Sequence, residues 1–231
     1  MKEKARQEEL RVCGINSVME ALKAGAARRV YLRDELGRRK DIAKLARSRD
    51  VEIVRADVDV QGVAADVVIK YFKFDDLLTG EGFVLYADGV EDPRNLGALV
   101  RSAVFFGCSG VAIPRRRAVR VTDTVVRTSA GAIFHTKVAF ATPSHLKKAK
   151  KKGYGVFAAE LDGVDLRRAN LYTPSVLVIG GEDRGVSRPV KNACDEVVRI
   201  PGGSEVSRVN SLNLSVAAGI LMYCLVYGRS H

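Results

Sequence analysis

Strand-like and helix-like segments alternate in the second part of the chain, and this alternation limits the possible folds more than any other feature. Short apolar runs that read as strands are Phe83 to Ala87, Gly110 to Ile113, Gly155 to Ala159, Val176 to Ile179 and Glu196 to Ile200. Stretches with helical periodicity are Asn95 to Phe106, Val119 to Thr128, Ser144 to Lys152, Arg188 to Ala193 and Ser211 to Tyr227. This order predicts an α/β fold in which helices cover both faces of a parallel sheet.

The residues before this alternation read as a smaller α/β unit. Ser17 to Glu20 has the pattern of a capping box, and Gly25 is placed to end the helix that follows. Further predicted elements are strands at Arg29 to Leu32 and Val51 to Ala56, a basic helix at Arg38 to Arg49, and a turn at Gln61 to Ala65 that leads into another strand. Mixed polarity from Tyr71 to Gly82 predicts a junction between a small domain, residues 1–75, and a larger one, residues 76–231.

The charge balance points to a polyanionic partner. The 231 residues include 38 Lys+Arg and 27 Asp+Glu, which gives a formal net charge of +11. This excess favours RNA or DNA over an anionic membrane surface, although a generic basic protein has the same balance. Basic clusters that could follow phosphates lie at Arg38-Arg39-Lys40, Arg115-Arg116-Arg117, and Lys147-Lys148 with Lys150-Lys151-Lys152.

The cysteines and histidines indicate neither a disulfide framework nor a metal site. The four cysteines are far apart and form no CxxC pair, which favours a reducing compartment. The three histidines lack metal-ligand spacing. The start of the chain is too charged for a signal peptide, and the longest apolar run, Leu214 to Tyr227, is too short to span a bilayer. We therefore expect a cytoplasmic protein that binds no metal and no membrane.

The segment from Asp88 to Ala103 could hold an anion, although the usual phosphate loops are missing. No GxGxxG follows a strand, and there is no GK[ST] loop. Asn95 suits a helix N-cap, and Arg101 falls one turn after Gly97, away from the apolar stripe of the helix. A small residue beside a cation above a helix N-terminus favours a phosphate or a developing oxyanion. Arg101 could equally be a solvated helix arginine.

Two strands near the carboxyl terminus end in loops with exposed peptide groups, where α/β proteins commonly hold small polar ligands. The loops are Ile179-Gly180-Gly181-Glu182 to Gly185, and Ile200-Pro201 to Ser211-Leu212-Asn213. Glu182 could orient a ligand or cap the next helix, and Ser211 or Asn213 could simply cap the last one. That last helix is apolar over most of its circumference, which suggests a subunit interface.

Three segments together resemble the three motifs of the SpoU/TrmH family of RNA ribose 2′-O-methyltransferases. They are Asp92-Pro93-Arg94-Asn95-Leu96-Gly97 to Arg101, Ile179-Gly180-Gly181-Glu182 to Gly185, and Ile200-Pro201 to Ser211-Leu212-Asn213-Leu214-Ser215. The amino-terminal unit resembles the substrate-binding domain of the ribosomal RNA members, opening with Gly14-Ile15-Asn16-Ser17-Val18 and closing with Gln61-Gly62-Val63-Ala64. One departure is the loop from Gly202 to Asn210, which is longer than the family pattern and carries Glu205 and Arg208.

The resemblance implies a trefoil-knotted α/β methyltransferase domain, a homodimer formed through it with the active site near the subunit boundary, and S-adenosylmethionine bound in the knot loops. It implies that Arg101, helped by Asn95, acts on the ribose 2′-hydroxyl. It also implies that the site is ordered by Glu182, Ser211 and Asn213, and that the cofactor is bound by Ile179, Gly180, Gly181, Glu182, Gly185, Ile200, Pro201 and Leu212.

The role of Arg101 is constrained by its acidity. A guanidinium has a pKa above about 12, which makes it a poor general base. We prefer a role in which Arg101 lowers the pKa of the hydroxyl and holds the nascent alkoxide, with a substrate phosphate as a candidate proton acceptor. The general-base role stays open.

The expected protein is therefore an S-adenosylmethionine-dependent 2′-O-methyltransferase that acts on structured RNA, with ribosomal RNA preferred because of the amino-terminal unit. RNA contacts are expected from Arg38, Arg39, Lys40, Arg115, Arg116 and Arg117. The alternatives are a transfer RNA 2′-O-methyltransferase, a non-catalytic RNA-binding or assembly protein of the same fold, and a knotted methyltransferase that acts on a base.

Overall fold

The computed structural model describes residues 6–202 and 211–228, which form one large sheet flanked by helices. The strands are β1 (Arg6–Cys13), β2 (Ala27–Leu32), β3 (Glu52–Arg55), β4 (Val63–Phe72), β5 (Phe83–Asp88), β6 (Gly110–Pro114), β7 (Val138–Ala141), β8 (Gly155–Asp165), β9 (Ser175–Gly180) and β10 (Glu196–Arg199). The helices are α1 (Ile15–Lys23), α2 (Arg38–Ser48), α3 (Pro93–Phe105), α4 (Asp123–Thr128), α5 (Pro143–Lys151), α6 (Arg188–Lys191) and α7 (Leu214–Tyr227).

The sheet confirms the predicted parallel α/β class. Its strands follow the order β10-β8-β9-β5-β6-β7-β4-β2-β3, and β1 pairs with β4 as well. Neighbouring strands from β10 to β4 run parallel, and β2 runs parallel to β3. The antiparallel pairs are β1 with β4 and β2 with β4, both in the amino-terminal part.

Helices pack on both faces of the sheet, as the strand-helix alternation predicts. Leu85 of β5 lies in one buried cluster with Leu99 of α3, and the adjacent Tyr86 lies in a second cluster with Leu146 of α5. Alternate side chains of a strand point to opposite faces. β5 is therefore buried on both sides, which explains why its sequence is almost wholly apolar.

The first helix begins earlier than its sequence suggests. α1 starts at Ile15, and Ser17 is a buried residue inside it, so the predicted capping box is wrong. The reason is a tertiary contact, because the N–H of Gly14 donates to the carbonyl of Val63 at 3.0 Å and fixes the helix start against β4. Gly25, with a φ of 67°, follows the helix end as predicted.

Two strands escape the sequence pattern. β1 is largely charged, yet it pairs antiparallel with β4 along its whole length, from Arg6 opposite Tyr71 to Cys13 opposite Ala64. β7 is only four residues long. Backbone pairing with distant segments stabilises both strands, and local composition does not record such pairing.

β4 connects the two parts of the chain. Its last residues, Tyr71 and Phe72, pair with Val138 and Ala139 of β7. The strands β1 to β4 of the amino-terminal part therefore belong to the same sheet as β5 to β10. The 3₁₀ turn that follows, Phe74–Leu77, buries its two apolar ends. The junction is thus a packed region of the sheet, and the domain boundary after residue 75 stays a prediction.

Within the described ranges no helix is long and apolar enough to cross a membrane. The trefoil knot stays a prediction. The long loop singled out above, with Glu205 and Arg208, lies outside the described residues from position 203 to 210.

Candidate active site

Described residues of the loops after β9 and β10 surround a cavity of about 880 Å³, together with the middle of β8 and the start of α7. It lies at the carboxyl ends of neighbouring parallel strands, where open α/β sheets hold ligands. The lining residues are Ala159, Glu160, Leu161, Ile179, Gly180, Gly181, Glu182, Asp183, Arg184, Gly185, Val198, Ile200, Pro201, Gly202, Ser211, Leu212, Asn213, Leu214, Ala217 and Leu221.

The structure brings together two of the three sequence motifs at this cavity. Every residue predicted to bind the cofactor lines it, and so do three of the residues predicted to order the catalytic site, Glu182, Ser211 and Asn213. Asn213 is the N-cap of α7, since its Oδ1 accepts the N–H of Ser215 at 3.0 Å. Ser211 lies before the helix and does not cap it. Their chemical roles stay predictions.

Close backbone approaches give the first cavity loop its shape. A Cβ on Gly181 would lie 2.2 Å from the carbonyl oxygen of Gly89, and a Cβ on Gly180 would lie 2.3 Å from the carbonyl carbon of Gly185. Both distances are far below van der Waals contact, so no larger residue fits without moving the backbone. The glycines therefore let three chain segments touch at the cavity wall.

Two carboxylates that the sequence analysis misses hold this loop in place. Asp88, at the end of β5, is 6 % exposed, and its Oδ2 accepts the N–H of Ser187 at 2.7 Å. Its carbonyl accepts the N–H of Gly181 at 2.9 Å. Glu160 lines the cavity and accepts the N–H of Val186. The position of Asp88 directly after an apolar strand was the available signal, whereas nothing local marks Glu160.

The apolar wall of the cavity comes from α7. Leu214, Ala217 and Leu221 line it, and Leu221 is fully buried. Other apolar side chains of the same helix face outward, since Tyr223 is 58 % and Tyr227 66 % exposed. One side of α7 thus builds the cavity while another side presents apolar surface to the exterior.

The third motif lies on α3, and its key residues are not among those that line the cavity. Arg101 is exposed, and within residues 6–202 and 211–228 it makes no hydrogen bond or ion pair. Asn95 is inside the helix, so its predicted N-cap role is wrong. The cap is Asp92, which accepts the N–H of Arg94 at 2.8 Å, because Pro93 occupies the first helical position.

Gly97 has a packing role. A Cβ there would lie 1.8 Å from Thr128 Oγ1 and 2.9 Å from the carbonyl oxygen of Val125. The space beside Gly97 is filled by α4, so the interpretation of this glycine as room for a phosphate next to Arg101 is wrong. Gly97 allows α3 and α4 to pack closely.

The predicted RNA-binding residues occupy different environments. Arg39 pairs with Asp34 at 2.6 Å and donates to the carbonyl of Gln61 at 3.2 Å, so it holds a turn in place. Arg38 donates to Asn16 Oδ1 at 3.0 Å, and Lys40 is exposed. The three arginines that follow β6 are exposed: Arg115, Arg116 and Arg117.

Two carboxylates pair with three of the five lysines in and directly after α5. Lys148 and Lys152 both pair with Asp75, and Lys150 pairs with Asp195 at 2.6 Å. These pairs explain why the density of lysines on this helix overstates its capacity to attract an anion.

Two of the four thiols are strongly held in their protonated form by burial. Burial raises the pKa of Cys194 to about 12 and that of Cys108 to about 11, so both are protonated at neutral pH. In the described part of the chain no group of three or more His, Cys, Asp or Glu residues is placed to hold a metal ion.

A parallel α/β sheet with a cavity built from strand-terminal loops defines an enzyme class that binds a small molecule beside its sheet. The model of the SpoU rRNA methylase family matches residues 82–223, which include the cavity loops and α3. The chain therefore belongs to the SpoU rRNA methylase family.

Relatives and solved structures agree with this membership. A protein of Archaeoglobus fulgidus named "uncharacterized tRNA/rRNA methyltransferase" is 47% identical over 225 residues, which cover 94% of this chain and 98% of that one. The SpoU methyltransferase AviRb from Streptomyces viridochromogenes, solved with the cofactor AdoMet, has the same fold, with a TM-score of 0.82 and 24% identity over 96% of this chain and 92% of its own. An AdoMet-bound rRNA methyltransferase from Sinorhizobium meliloti has a TM-score of 0.75 and 23% identity over 93% and 85%.

Proposed function

We propose that this RNA methyltransferase transfers a methyl group from S-adenosylmethionine to a ribose 2′-hydroxyl, and that its substrate is ribosomal RNA. The observation that carries the proposal is the convergence of two family motifs, far apart in sequence, on one cavity of about 880 Å³. Family membership supports RNA methylation, and the resemblance of Asp92 to Arg101 to the 2′-O-methyltransferase motif supports the ribose oxygen as the acceptor.

The residues of the cavity fit S-adenosylmethionine. Its volume falls within the range of small-molecule sites, roughly 300 to 1,000 Å³. Ile200 and Leu212 offer an apolar surface for a planar base, and the glycine loop offers peptide groups for its polar edge. Glu160 and Glu182 add negative charge, which suits a cationic ligand. AviRb of the same fold was solved with AdoMet.

When bound, S-adenosylmethionine supplies an electrophilic methyl group on a sulfonium sulfur. A guanidinium offers hydrogen-bond donors and no acceptor, so the proposed role of Arg101 is to donate hydrogen bonds to the ribose oxygen. Such bonds lower the pKa of the ribose 2′-hydroxyl and stabilise the developing alkoxide. The proton of the hydroxyl passes to a substrate phosphate. General-base action by Arg101 is the alternative. Positioning by Glu182, Ser211 and Asn213 supplies the remaining effect.

The proposed enzyme is a homodimer whose active site includes both subunits. Arg101 and Asn95 lie on α3, away from the cavity lining, and the exposed side chain of Arg101 makes no hydrogen bond or ion pair within residues 6–202 and 211–228. The outer side of α7 exposes Val216, Tyr223 and Tyr227. Apolar surface of this kind is typical of a protein interface. We therefore propose that α7 packs against the partner subunit, and that Arg101 of one subunit serves the cavity of the other.

Ribosomal RNA is preferred over transfer RNA because of the amino-terminal unit. The two segments of this unit that resemble the family, residues 14–18 and 61–64, are in contact. The N–H of Ile15 donates to Gln61 Oε1 at 2.8 Å. Arg38 also donates to Asn16 in this region. The assembled loops form a defined surface on which structured RNA could be recognised.

The test is to incubate the purified protein with radiolabelled S-adenosylmethionine and with total ribosomal or transfer RNA, then to hydrolyse the product with alkali. A 2′-O-methyl group blocks cleavage next to its nucleotide, so we expect label in alkali-resistant dinucleotides from ribosomal RNA. Label in mononucleotides would indicate a base methyltransferase, and label in transfer RNA alone would contradict the substrate. Calorimetry that shows no donor binding would favour the non-catalytic alternative.

A further inference from the structure

An aromatic pair lies where β4 of the amino-terminal part pairs with β7 of the larger part of the sheet. Tyr71 of β4 is buried, and its ring stacks on Phe140 of β7 with centroids 4.5 Å apart and planes inclined by 16°. Phe140 is itself half-buried, so part of its ring remains open to other groups. A partly open ring next to a buried one gives a rigid platform.

Three arginines from separate segments surround this ring. The Cζ atoms of Arg6, Arg115 and Arg120 lie 6.0, 5.4 and 5.8 Å from the Phe140 centroid. Arg6 belongs to β1, and the other two lie between β6 and α4. We call these residues, with Phe140, the Phe140 arginine cluster. Each distance is within the range of a cation–π contact.

The carboxylate of Glu8 holds two arginines of the cluster, Arg6 and Arg120, in place. Glu8 Oε1 accepts from Arg6 at 2.8 Å and from Arg120 at 3.0 Å, while Glu8 Oε2 accepts the Tyr71 hydroxyl at 3.0 Å. Two guanidinium groups therefore share one negative charge. The side chains of Arg6 and Arg120 remain half exposed, so their outer N–H groups can still reach a ligand.

The backbone leads from this cluster to the active-site cavity through one intervening loop. The N–H of Val119 donates to the carbonyl of Val90 at 3.0 Å, so the segment that carries the arginines packs on the loop after β5. The same loop touches the cavity on its other side, because Gly181 donates to Asp88 at 2.9 Å and lies against Gly89. These contacts join the segment that carries Arg115 and Arg120 to the wall of the cavity.

We propose that the Phe140 arginine cluster binds the phosphodiester backbone of the substrate RNA next to the nucleotide that enters the active site. This inference rests on the proposed function for its substrate. Arginine binds phosphate oxygens bidentately. The ring and Glu8 hold the guanidinium groups in advance, which reduces the entropy lost on binding. Contacts of this kind fix the position of the RNA and do not read its sequence.

The experiment compares RNA binding by the full-length protein and by the double variant Arg6→Gln/Arg120→Gln. The probe is a single-stranded oligouridine, and its dissociation constant is measured over a range of salt concentrations. Loss of two phosphate contacts should lower the slope of log affinity against log salt by about 1.4 and weaken binding about tenfold or more at low salt. Donor affinity and thermal stability are measured on the same samples.

The matched controls separate charge from geometry. Arg28→Gln removes one exposed positive charge on β2, outside the cluster, and should leave the slope within error of the wild type. Arg6→Lys/Arg120→Lys keeps both charges, so the slope should persist while affinity falls because bidentate contact is lost. A glutamine double variant with the affinity and slope of Arg28→Gln would overturn the proposal. So would retained RNA binding combined with lost binding to polyglutamate, which would assign the cluster to an acidic protein.

The binding slope does not depend on catalysis. If the wild type methylates no RNA, the proposed function fails while the slope still tests the cluster. If methylation proceeds, the glutamine double variant should raise KM for RNA and leave kcat at saturating RNA nearly unchanged, because neither residue lines the cavity.

Discussion

The cavity at the carboxyl ends of β9 and β10 and the arginine surface around Phe140 are built on different principles. The cavity takes its shape from peptide atoms, since Gly180 and Gly181 approach neighbouring backbone more closely than any side chain would allow. The arginine surface consists of long, half-exposed side chains around one ring. The cavity loop tolerates no larger residue at these glycines for steric reasons. Ligand binding by the arginine surface depends on charge and on salt concentration.

This difference separates two kinds of ligand recognition in one protein. A small ligand needs fixed walls, because its binding free energy comes from few contacts that must all be made. A polyanion binds through many contacts of which each contributes little, so an exposed and redundant surface is sufficient. A single substitution at a closely packed cavity glycine should therefore weaken donor binding strongly, whereas each substitution on the arginine surface should weaken RNA binding only in part.

The largest effect is expected for Arg101→Ala. We expect kcat to fall by about a hundredfold to a thousandfold, the range seen when an oxyanion-stabilising donor is removed. Donor affinity should change little, because Arg101 does not line the cavity of its own chain. Single-turnover methylation and donor calorimetry on the same sample measure the two quantities. Equal loss of both would mean that Arg101 supports the cavity instead.

The next effect is expected for Gly181→Ala. Its Cβ would lie 2.2 Å from the carbonyl oxygen of Gly89, so the loop must move and donor affinity should fall at least about tenfold, or about 1.4 kcal/mol. Gly202→Ala is the matched control, since this glycine also lines the cavity but has open space around its Cβ position. Unchanged donor affinity in Gly181→Ala would show that the loop is not part of the donor site.

These two variants also test the proposed dimer. Mixed dimers of Arg101→Ala with Gly181→Ala contain one site with an intact Arg101 and an intact cavity if the two come from different subunits. Co-expression with two affinity tags should then restore part of the activity. The assay uses a donor concentration near the dissociation constant of the wild type, where the Gly181→Ala protein is only weakly active. If both parts come from one subunit, the mixed dimer should show no more activity than the mean of the two single-variant dimers, and the proposed shared site fails.

The smallest effect is expected in the amino-terminal unit, for Asp66→Asn. A hydrogen bond from Arg11, at 2.7 Å, lowers the pKa of Asp66 below its ordinary value of 3.8. A lowered pKa in the folded state stabilises the protein above the unfolded pKa, and this contribution is lost as the pH falls through the folded one. The variant should lose less than about 1 kcal/mol at pH 7, because the pair is partly exposed.

Urea unfolding at neutral and at acidic pH measures this difference. The gap between wild type and Asp66→Asn should close as the pH drops below 3.8, whereas the exposed Asp59→Asn control should show no such trend. A gap that is constant with pH would mean that the substitution acts through packing and not through the carboxylate charge.

The sequence anticipated those features that depend on local pattern. The apolar run of β5 and the helical periodicity of α3 can be recognised without tertiary information. A continuous apolar run predicts a strand that is buried on both faces, and apolar residues at helical spacing predict a helix with one buried stripe. The loops at Gly180 and Ser211 were also visible, since glycines and polar residues directly after strands are local signals.

One error had a local cause, and the others arose where a distant segment decides the local structure. Asn95 has the chemistry of a cap, but Pro93 moves the helix start to Asp92. Gly97 looks open in sequence, yet α4 fills the space beside it. β1 carries too many charges to read as a strand, and only its pairing with β4 makes it one.

The order of residues by itself determined the parallel α/β class, the loops that line the cavity and the excess of positive charge. Only the tertiary structure decided that Asp88 and Glu160 hold the cavity loop, and that Arg6, Arg115 and Arg120 meet around Phe140. Periodicity states which face of an element is buried, but not which distant element covers it. That choice is made by strand pairing and packing between segments far apart in the chain.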